Sequence, residues 1–166
     1  GWKQKNLHGP WYDGDTLNYS IGQGYLQVTP LQALGMIATI ATSPEKLRPH
    51  LVEKIGGVNA AVRHSSGFQA TPEILNAVRH GLEEGVNSST GTGRLARIPG
   101  IQVAGKTGTA ETHKGRDHAW YVGYAPADAP KVAFVVFLEF GGHGGVEAAT
   151  FANDLLLKLK ELGYLS

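Results

Sequence analysis

Residues 101–111 read IQVAGKTGTAE. The apolar start of this stretch is typical of a β-strand, which we expect over 101–109. Two more strands are expected over 118–124 and 131–139, joined as a hairpin by the turn PADAP at 126–130. Because the third segment is a continuous run of mostly β-branched and aromatic residues, it is expected to be covered on both faces. The C-terminal third of the chain therefore predicts a small antiparallel sheet.

Two helix signals precede this sheet. Thr29 and Thr71 are each followed by proline, the arrangement of an N-cap with proline at the first helical position. The first helix is expected over 30–42, with Gln32 completing a capping box. The second is expected to stop at Gly85. The sequence thus predicts helices that flank the sheet.

The remaining segments are less regular. Residues 1–28 are expected to be loop with short extended stretches, and 51–62 a hairpin that turns at Gly56-Gly57. A final helix is expected over 147–162. Its periodicity predicts a buried stripe of Ala148, Phe151, Ala152, Leu155, Leu159 and Leu162. Strands and helices in this order predict an α+β architecture.

Length and composition exclude several classes of function. The 166 residues suit one domain, with a mostly helical and loop part over 1–100 and the strands and last helix over 101–166. A net charge of +1 gives no electrostatic reason to expect a nucleic acid partner. Without cysteine there is neither a disulfide nor a thiolate metal site. The longest apolar run, Val132–Leu138, is far below the roughly 20 residues that cross a bilayer. Because the chain begins at Gly1, we expect a processed product or a piece of a longer protein.

The tripeptide Lys-Thr-Gly at 106–108 combines the groups that acyl-transfer sites of the serine–lysine type place on a strand beside the substrate. Lysine supplies a fixed positive charge near the nucleophile and the substrate carboxylate, and threonine hydroxyls donate hydrogen bonds to that carboxylate. Glycine lets the substrate approach the strand closely. The next backbone N–H can then point at the developing oxyanion.

A rival motif overlaps these residues. The stretch 100–107, GIQVAGKT, also fits the phosphate-loop pattern G-x-x-x-x-G-K-[ST]. Such a loop needs an apolar strand before its first glycine and a helix directly after its lysine. No strand is predicted because Arg97-Ile98-Pro99 precedes Gly100, and no helix is predicted because Gly108 and Gly115 bracket polar residues without a helical stripe. Nucleotide binding is therefore the weaker interpretation.

Two other patterns contain residue types found in catalytic or metal sites. A serine-x-x-lysine spacing occurs at 43–46, but Pro49 would end any helix there, so a surface turn is expected. The polar cluster of His113 and 116–118 lacks the spacing of a metal site. We expect neither a metal nor another cofactor.

Several segments together resemble class B penicillin-binding proteins. The resemblance is strongest to the elongation-type members, such as penicillin-binding protein 2. These segments are NYSIGQGYLQVTPLQ (18–32), RPHLV (48–52), AGKTGTAE (104–111) and HAWYVGYAP (118–126). A glycine loop and the final helix follow in the same order. The resemblance runs from about residue 13 to the C-terminus and is more specific than any one motif.

The resemblance implies a penicillin-binding/serine β-lactamase-like transpeptidase fold, with a five-stranded antiparallel sheet, flanking helices and a helical subdomain. It implies cross-linking of peptidoglycan stem peptides through a serine acyl-enzyme, and inhibition by β-lactams. Lys106 and Thr109 are then the catalytic candidates, the latter through its backbone N–H as half of the oxyanion hole. Thr107, Gly108 and Thr109 are the substrate-binding candidates, with the substrate antiparallel along this strand.

The family's serine-x-x-lysine and serine-x-asparagine motifs precede the matching region. We therefore expect this chain to lack the nucleophile, to be inactive alone, and to expose an apolar face that the upstream part of the same domain covers. The resemblance also implies a membrane glycosyltransferase of the elongation machinery as partner, and the outer face of the bacterial cytoplasmic membrane as location. Alternatives are a non-catalytic fragment or interaction module of the same fold, or a serine β-lactamase or D,D-carboxypeptidase.

Overall fold

The structure, a computed structural model, describes residues 1–42, 45–47, 49–60, 64–66, 70–112 and 115–165. Its α-helices are α1 (Trp2–Leu7), α2 (Asp13–Ser20), α3 (Pro30–Thr42), α4 (Pro72–Asn87) and α5 (Ala149–Glu161). Its strands are β1 (Glu45–Leu47), β2 (Lys54–Ile55), β3 (Val58–Asn59), β4 (His64–Ser66), β5 (Ala104–Ala110), β6 (His118–Ala125) and β7 (Val132–Leu138). A 3₁₀ turn at Arg94–Ala96 and a π-helical turn at Gly144–Ala148 complete the described elements.

The central sheet is antiparallel with the strand order β5-β6-β7, as the sequence predicted. Its first strand begins at Ala104 rather than at Ile101. The reason is local, because Ile101 forms an isolated bridge with Ile98 across a turn in which Gly100 has a φ of 76°. Within the described residues, β5 pairs only with β6 and β7 only with β6. Both outer edges of the sheet are therefore open to a further strand.

Helices cover both faces of the sheet. On one face, α3 packs against β6 and β7 around a cluster that includes Ile37 and Tyr124. On the other face, α5 and the end of α4 enclose a larger cluster that includes Val86, Tyr121 and Leu156. Strand β7 contributes side chains to both clusters, as its continuous apolar run predicted. The α+β architecture is confirmed.

The predicted capping box of α3 is present. The backbone N–H of Thr29 donates to Gln32 Oε1 at 2.8 Å, and that of Gln32 donates to Thr29 Oγ1 at 3.2 Å. The predicted stop of α4 at Gly85 is wrong, since the helix continues to Asn87. A Cβ atom on Gly85 would lie 3.1 Å from Gly105 O, so this glycine permits α4 to approach β5 closely rather than ending the helix.

The loop predicted over residues 1–28 is wrong in part, because α1 and α2 lie there. Asp15 explains α2, since its Oδ2 accepts a hydrogen bond from the N–H of the N-cap residue Tyr12 at 2.8 Å. The same carboxylate pairs with Lys3 Nζ at 2.5 Å and joins α2 to α1. Lys3 also lies over the rings of Tyr12 and Tyr25. A local cap of α2 and the contacts of Lys3 with Asp15 and Tyr25 therefore stabilise this region.

The predicted stripe of α5 is only partly buried. Ala148 and Ala152 are buried, whereas Phe151, Leu155 and Leu162 are exposed. Alanine side chains and Leu156 face the sheet, whereas these three bulky residues point away from it. These three residues leave an apolar strip on the surface.

The turn at Gly56-Gly57 is confirmed, and both glycines have positive φ. Val62, the predicted end of that hairpin, lies outside the described residues. Across the described ranges, the helices are all too short or too polar to cross a membrane.

Candidate functional site

Strand β5 places its side chains on two different faces. Lys106 lies opposite Val122, which belongs to the cluster around α3. Thr107 lies opposite Tyr121, which belongs to the cluster around α5. Because side chains alternate along a strand, Gly108 shares the face of Lys106, and Thr109 shares the face of Thr107. The ammonium group and the two hydroxyls therefore approach the open edge of β5 from opposite sides.

Backbone groups of β5 point outward at this edge, where no strand pairs with them among the described residues. The carbonyl oxygen of Thr107 accepts a hydrogen bond from Lys106 Nζ at 2.7 Å, and that of Thr109 accepts one from Gln23 Nε2 at 3.4 Å. Acceptance from side chains is the arrangement expected where the backbone groups face the unpaired edge. In an antiparallel pair, the N–H and C=O of one residue point to the same side. The N–H of Thr109 is thus directed toward the open edge as well.

Each threonine hydroxyl has a protein partner on the side away from α3. Thr107 Oγ1 lies 3.0 Å from Thr92 Oγ1, in the loop between α4 and the 3₁₀ turn. Thr109 Oγ1 accepts a hydrogen bond from the N–H of Gly144 at 3.2 Å. Both hydroxyls are therefore held by segments far away in the sequence.

The glycine loop 141–145 packs directly on β5. A Cβ atom on Gly144 would overlap with Gly108 O and would lie 2.6 Å from Trp120 O. Only glycine fits at this position without a shift of the backbone. The loop reaches Thr109 because of this close approach.

An ion pair on the surface stabilises the glycine loop 141–145. Arg116 Nη2 contacts Glu147 Oε1 at 2.7 Å, and Glu147 Oε2 accepts a hydrogen bond from the N–H of His143 at 2.9 Å. The N–H of Gly142 donates to Asp117 O at 2.8 Å. Backbone N–H groups of Glu147 and His143, together with Arg116, hold the pKa of Glu147 below its usual value. The acidic and basic side chains here fasten the glycine loop.

The polar cluster weighed as a metal site has these structural contacts instead. His118 Nδ1 accepts a hydrogen bond from the N–H of Phe140 at 2.9 Å. His113 lies outside the described residues. Among the residues that the structure describes, no group of three His, Asp or Glu side chains is placed to hold a metal ion.

A cleft of about 410 Å³ lies on the α3 side of β5. Gly108, Thr109 and Trp120 line it from the sheet, and Ala33 and Met36 line it from α3. Its remaining wall comes mainly from the apolar residues of the segment 21–28. Because Gly108 has no side chain, the cleft extends to the backbone of β5.

The phosphate-loop interpretation is wrong. Lys106 and Thr107 lie in the middle of β5, each paired with a residue of β6, and not at the start of a helix. Ser43, the serine of the serine-x-x-lysine spacing, lies outside the described residues, as does the side chain of Lys46.

Sequence reasoning missed the partners of the two hydroxyls. Thr92 and Gly144 belong to glycine-rich loops, at 88–93 and 141–145, that contain no motif of their own. The available signal was composition, since Thr92 lies between two glycines and Gly144 within a run of four around His143. Such runs permit close backbone approach, but they do not show which strand is approached.

The sequence matches a known protein family. The family model described as the Penicillin binding protein transpeptidase domain matches residues 2–157. The peptidoglycan D,D-transpeptidase MrdA of Haemophilus influenzae is 34% identical over 176 residues, which cover 93% of this chain and 27% of the relative. This chain therefore spans about a quarter of that relative's length.

Solved structures agree with the sequence match. The complex between penicillin-binding protein PBP2 and MreC from Helicobacter pylori superposes with a TM-score of 0.84 at 34% identity, covering 99% of this chain and 30% of that one. Penicillin-binding protein A from M. tuberculosis, solved as an imipenem acyl-enzyme complex, superposes with a TM-score of 0.75 at 30% identity. That match covers 91% of this chain and 35% of that one.

Proposed function

The chain belongs to the penicillin-binding protein transpeptidase domain family, and we propose that it supplies the Lys-Thr-Gly strand of a peptidoglycan D,D-transpeptidase. The observation that carries this proposal is the open edge of β5. One apolar cleft adjoins this edge. The edge carries the exposed Lys106, the hydroxyls of Thr107 and Thr109 with their protein partners, and backbone groups that point outward. The names of the relatives support the reaction class, and the geometry supports the roles proposed for these residues.

The donor stem peptide lies antiparallel along β5 as an added strand. The hydroxyls of Thr107 and Thr109 donate hydrogen bonds to its terminal carboxylate. Lys106 supplies positive charge beside the nucleophile and that carboxylate. The N–H of Thr109 donates to the carbonyl oxygen as negative charge develops on it, a contribution typically worth about 10²–10³ in rate. A β-lactam occupies the same edge with its own carboxylate.

The serine and the second oxyanion donor come from the preceding part of the same domain. The serine Oγ attacks the D-Ala-D-Ala carbonyl carbon, and the serine proton leaves with the departing D-Ala amine. The amine of a neighbouring stem then attacks the ester, forms the cross-link and returns a proton to the serine. The edge of β7, unpaired among the described residues, and the apolar strip on α5 support a preceding part that packs on this chain. This chain alone is inactive.

The intact enzyme works on the outer face of the bacterial cytoplasmic membrane, where peptidoglycan is made. Its partners include a glycosyltransferase of the elongation machinery. The relative solved together with MreC supports a place in such an assembly. The relative solved as an acyl-enzyme supports reaction with β-lactams.

The test is covalent labelling by a fluorescent penicillin. Three samples are compared: this chain, the preceding part of its domain, and a mixture of the two. We expect label only in the mixture, attached to the preceding part. If the two pieces bind each other but no label appears, this segment is a non-catalytic interaction module. Label on this chain alone would contradict the proposed source of the serine.

A further inference from the structure

Thr92 touches the proposed carboxylate site without belonging to its motif. Its Oγ1 lies 3.0 Å from Thr107 Oγ1, and either hydroxyl could be the donor. The side chain is on the exposed side of a loop, so burial does not explain its position. The contact joins two residues that are 15 positions apart.

The loop that carries Thr92 is fixed to the end of α4. The N–H of Gly93 donates to Gly85 O at 2.9 Å, and a Cβ atom on Gly91 would lie only 2.5 Å from the same oxygen. Arg97 donates to Val86 O at 2.7 Å and to Ser88 O at 2.6 Å. The loop therefore has a defined backbone position, and Thr92 with it.

Helix α4 is in turn fixed to the strand that leads into β5. Asn87 Nδ2 donates to Val103 O at 2.9 Å. A Cβ atom on Gly85 would contact Gly105 O at 3.1 Å, which sets how closely the helix and the strand pack. Thr92 and Thr107 are therefore held at hydrogen-bond distance by backbone contacts on both sides.

The direction of the hydroxyl protons matters for a carboxylate ligand. A hydroxyl has one proton to donate and can accept in addition. Thr109 already accepts from the N–H of Gly144, so its own proton is free for a ligand. Thr107 has the same freedom only if Thr92 is the donor of their shared hydrogen bond.

We propose that Thr92 is a positioning residue that donates to Thr107 Oγ1 and so directs the Thr107 proton to the substrate carboxylate. This inference rests on the proposed function and adds a residue to it. A chain of two hydroxyls ending on an anion strengthens each bond in it. Thr92 thus does for Thr107 what the N–H of Gly144 does for Thr109.

The test uses the intact transpeptidase that carries this chain. The second-order rate of acylation is measured for a penicillin and for the methyl ester of its carboxylate, with Thr92→Val, Thr92→Ser and Thr107→Val variants and the double variant Thr92→Val/Thr107→Val. We expect Thr92→Val to lower the ratio of the penicillin rate to the ester rate by about three- to tenfold, the size of one lost hydrogen bond. Thr92→Ser, which keeps the hydroxyl, should stay within about twofold of the wild-type ratio. In the Thr107→Val background, Thr92→Val should have no further effect on that ratio.

Several results would overturn the role of Thr92. An unchanged ratio in Thr92→Val, or a ratio lowered equally in Thr92→Ser, would show that its hydroxyl does not act on the carboxylate. A fall in both rates by the same factor would indicate a structural role. A full effect in the Thr107→Val background would show that Thr92 does not act through Thr107. Absence of acylation in the wild type would instead overturn the proposed function, and this inference with it.

Discussion

A Cβ atom on Gly144 would lie 2.6 Å from Trp120 O and would overlap with Gly108 O. Ordinary contacts of a Cβ atom begin at 3.4 Å. Contact with Trp120 O alone would therefore force the glycine loop about 0.8 Å away from the sheet in Gly144→Ala. The 3.2 Å hydrogen bond from Gly144 to Thr109 Oγ1 would then lie outside normal range. One substitution thus tests both the packing of the loop and its hold on Thr109.

The expected cost has two parts. Overpacking against backbone atoms costs about 1–3 kcal/mol, and the lost hydrogen bond costs about 1 kcal/mol. For a chain of this length, 1 kcal/mol corresponds to about 2–4 °C in Tm. We expect Gly144→Ala to lower Tm by roughly 4–16 °C in thermal unfolding followed by circular dichroism.

The matched control is Gly81→Ala. Gly81 lies in α4, and a Cβ atom there would have no neighbour within 4 Å among the described residues outside the backbone of its own helix. Both variants lose the same conformational freedom in the unfolded state, so their difference reports on the folded structure. Gly81→Ala should raise Tm by about 1–4 °C. If Gly144→Ala unfolded at the temperature of the wild type, the close packing of the loop on β5 would be refuted.

Three further variants test other parts of the site and its support. Lys106→Ala should lower penicillin acylation of the intact enzyme by on the order of 100-fold. Its Tm should stay unchanged, because the side chain is exposed and its hydrogen bond to Thr107 O is made at the surface. Glu147→Gln should lower Tm near neutral pH, and the difference from wild type should shrink as pH falls below the ordinary glutamate value of 4.5, because the pKa of Glu147 is lowered in the folded state. Tyr124→Phe should keep or raise Tm, since the buried Tyr124 hydroxyl has no hydrogen-bond partner among the described residues.

Each of these has an outcome that contradicts it. Acylation of the Lys106→Ala enzyme at the wild-type rate would exclude Lys106 from the chemistry. Glu147 stabilises the fold in its ionised form, so its contribution is present above the unfolded pKa and is lost as pH falls through the folded pKa. A difference between wild type and Glu147→Gln that grows in acid would therefore refute the ion-pair network. A lower Tm for Tyr124→Phe would mean that its hydroxyl has a stabilising partner.

Much of the sheet and the three helices α3, α4 and α5 could be predicted because their signals are local. Thr29 with Gln32 forms a capping box from residues that are close in sequence, and the apolar run of β7 is continuous. Helices α1 and α2 could not be predicted in this way. Asp15 caps α2 locally, but the N-cap residue is Tyr12, which is not a usual capping residue, and the pair of Lys3 with Asp15 that joins the two helices spans 12 positions. Composition alone favoured loop for that segment.

The candidate site likewise contains residues that the sequence identifies and residues that only the packed structure identifies. Lys106 to Thr109 are visible as a motif, because the chemistry needs those residue types in consecutive strand positions. Thr92 and Gly144 are not visible, because their roles depend on loops that reach β5 only after the sheet and helices have packed. The exposed Phe151 is a further case, since periodicity identifies an apolar side of α5 but not which side faces this sheet.

The two glycines of β5 show why the strand tolerates a sequence that weakens strands in general. Glycine in a strand interior lacks a side chain to pack and costs conformational entropy. Here that space is used, because a Cβ atom on Gly105 would lie 2.6 Å from the ring of Tyr121, and one on Gly108 would lie 3.3 Å from Trp120 Cβ. Gly105 brings the buried tyrosine under the strand, and Gly108 leaves the backbone open to the cleft. The weakness of β5 as a strand is therefore offset by packing from one side, and its edge stays available for a peptide.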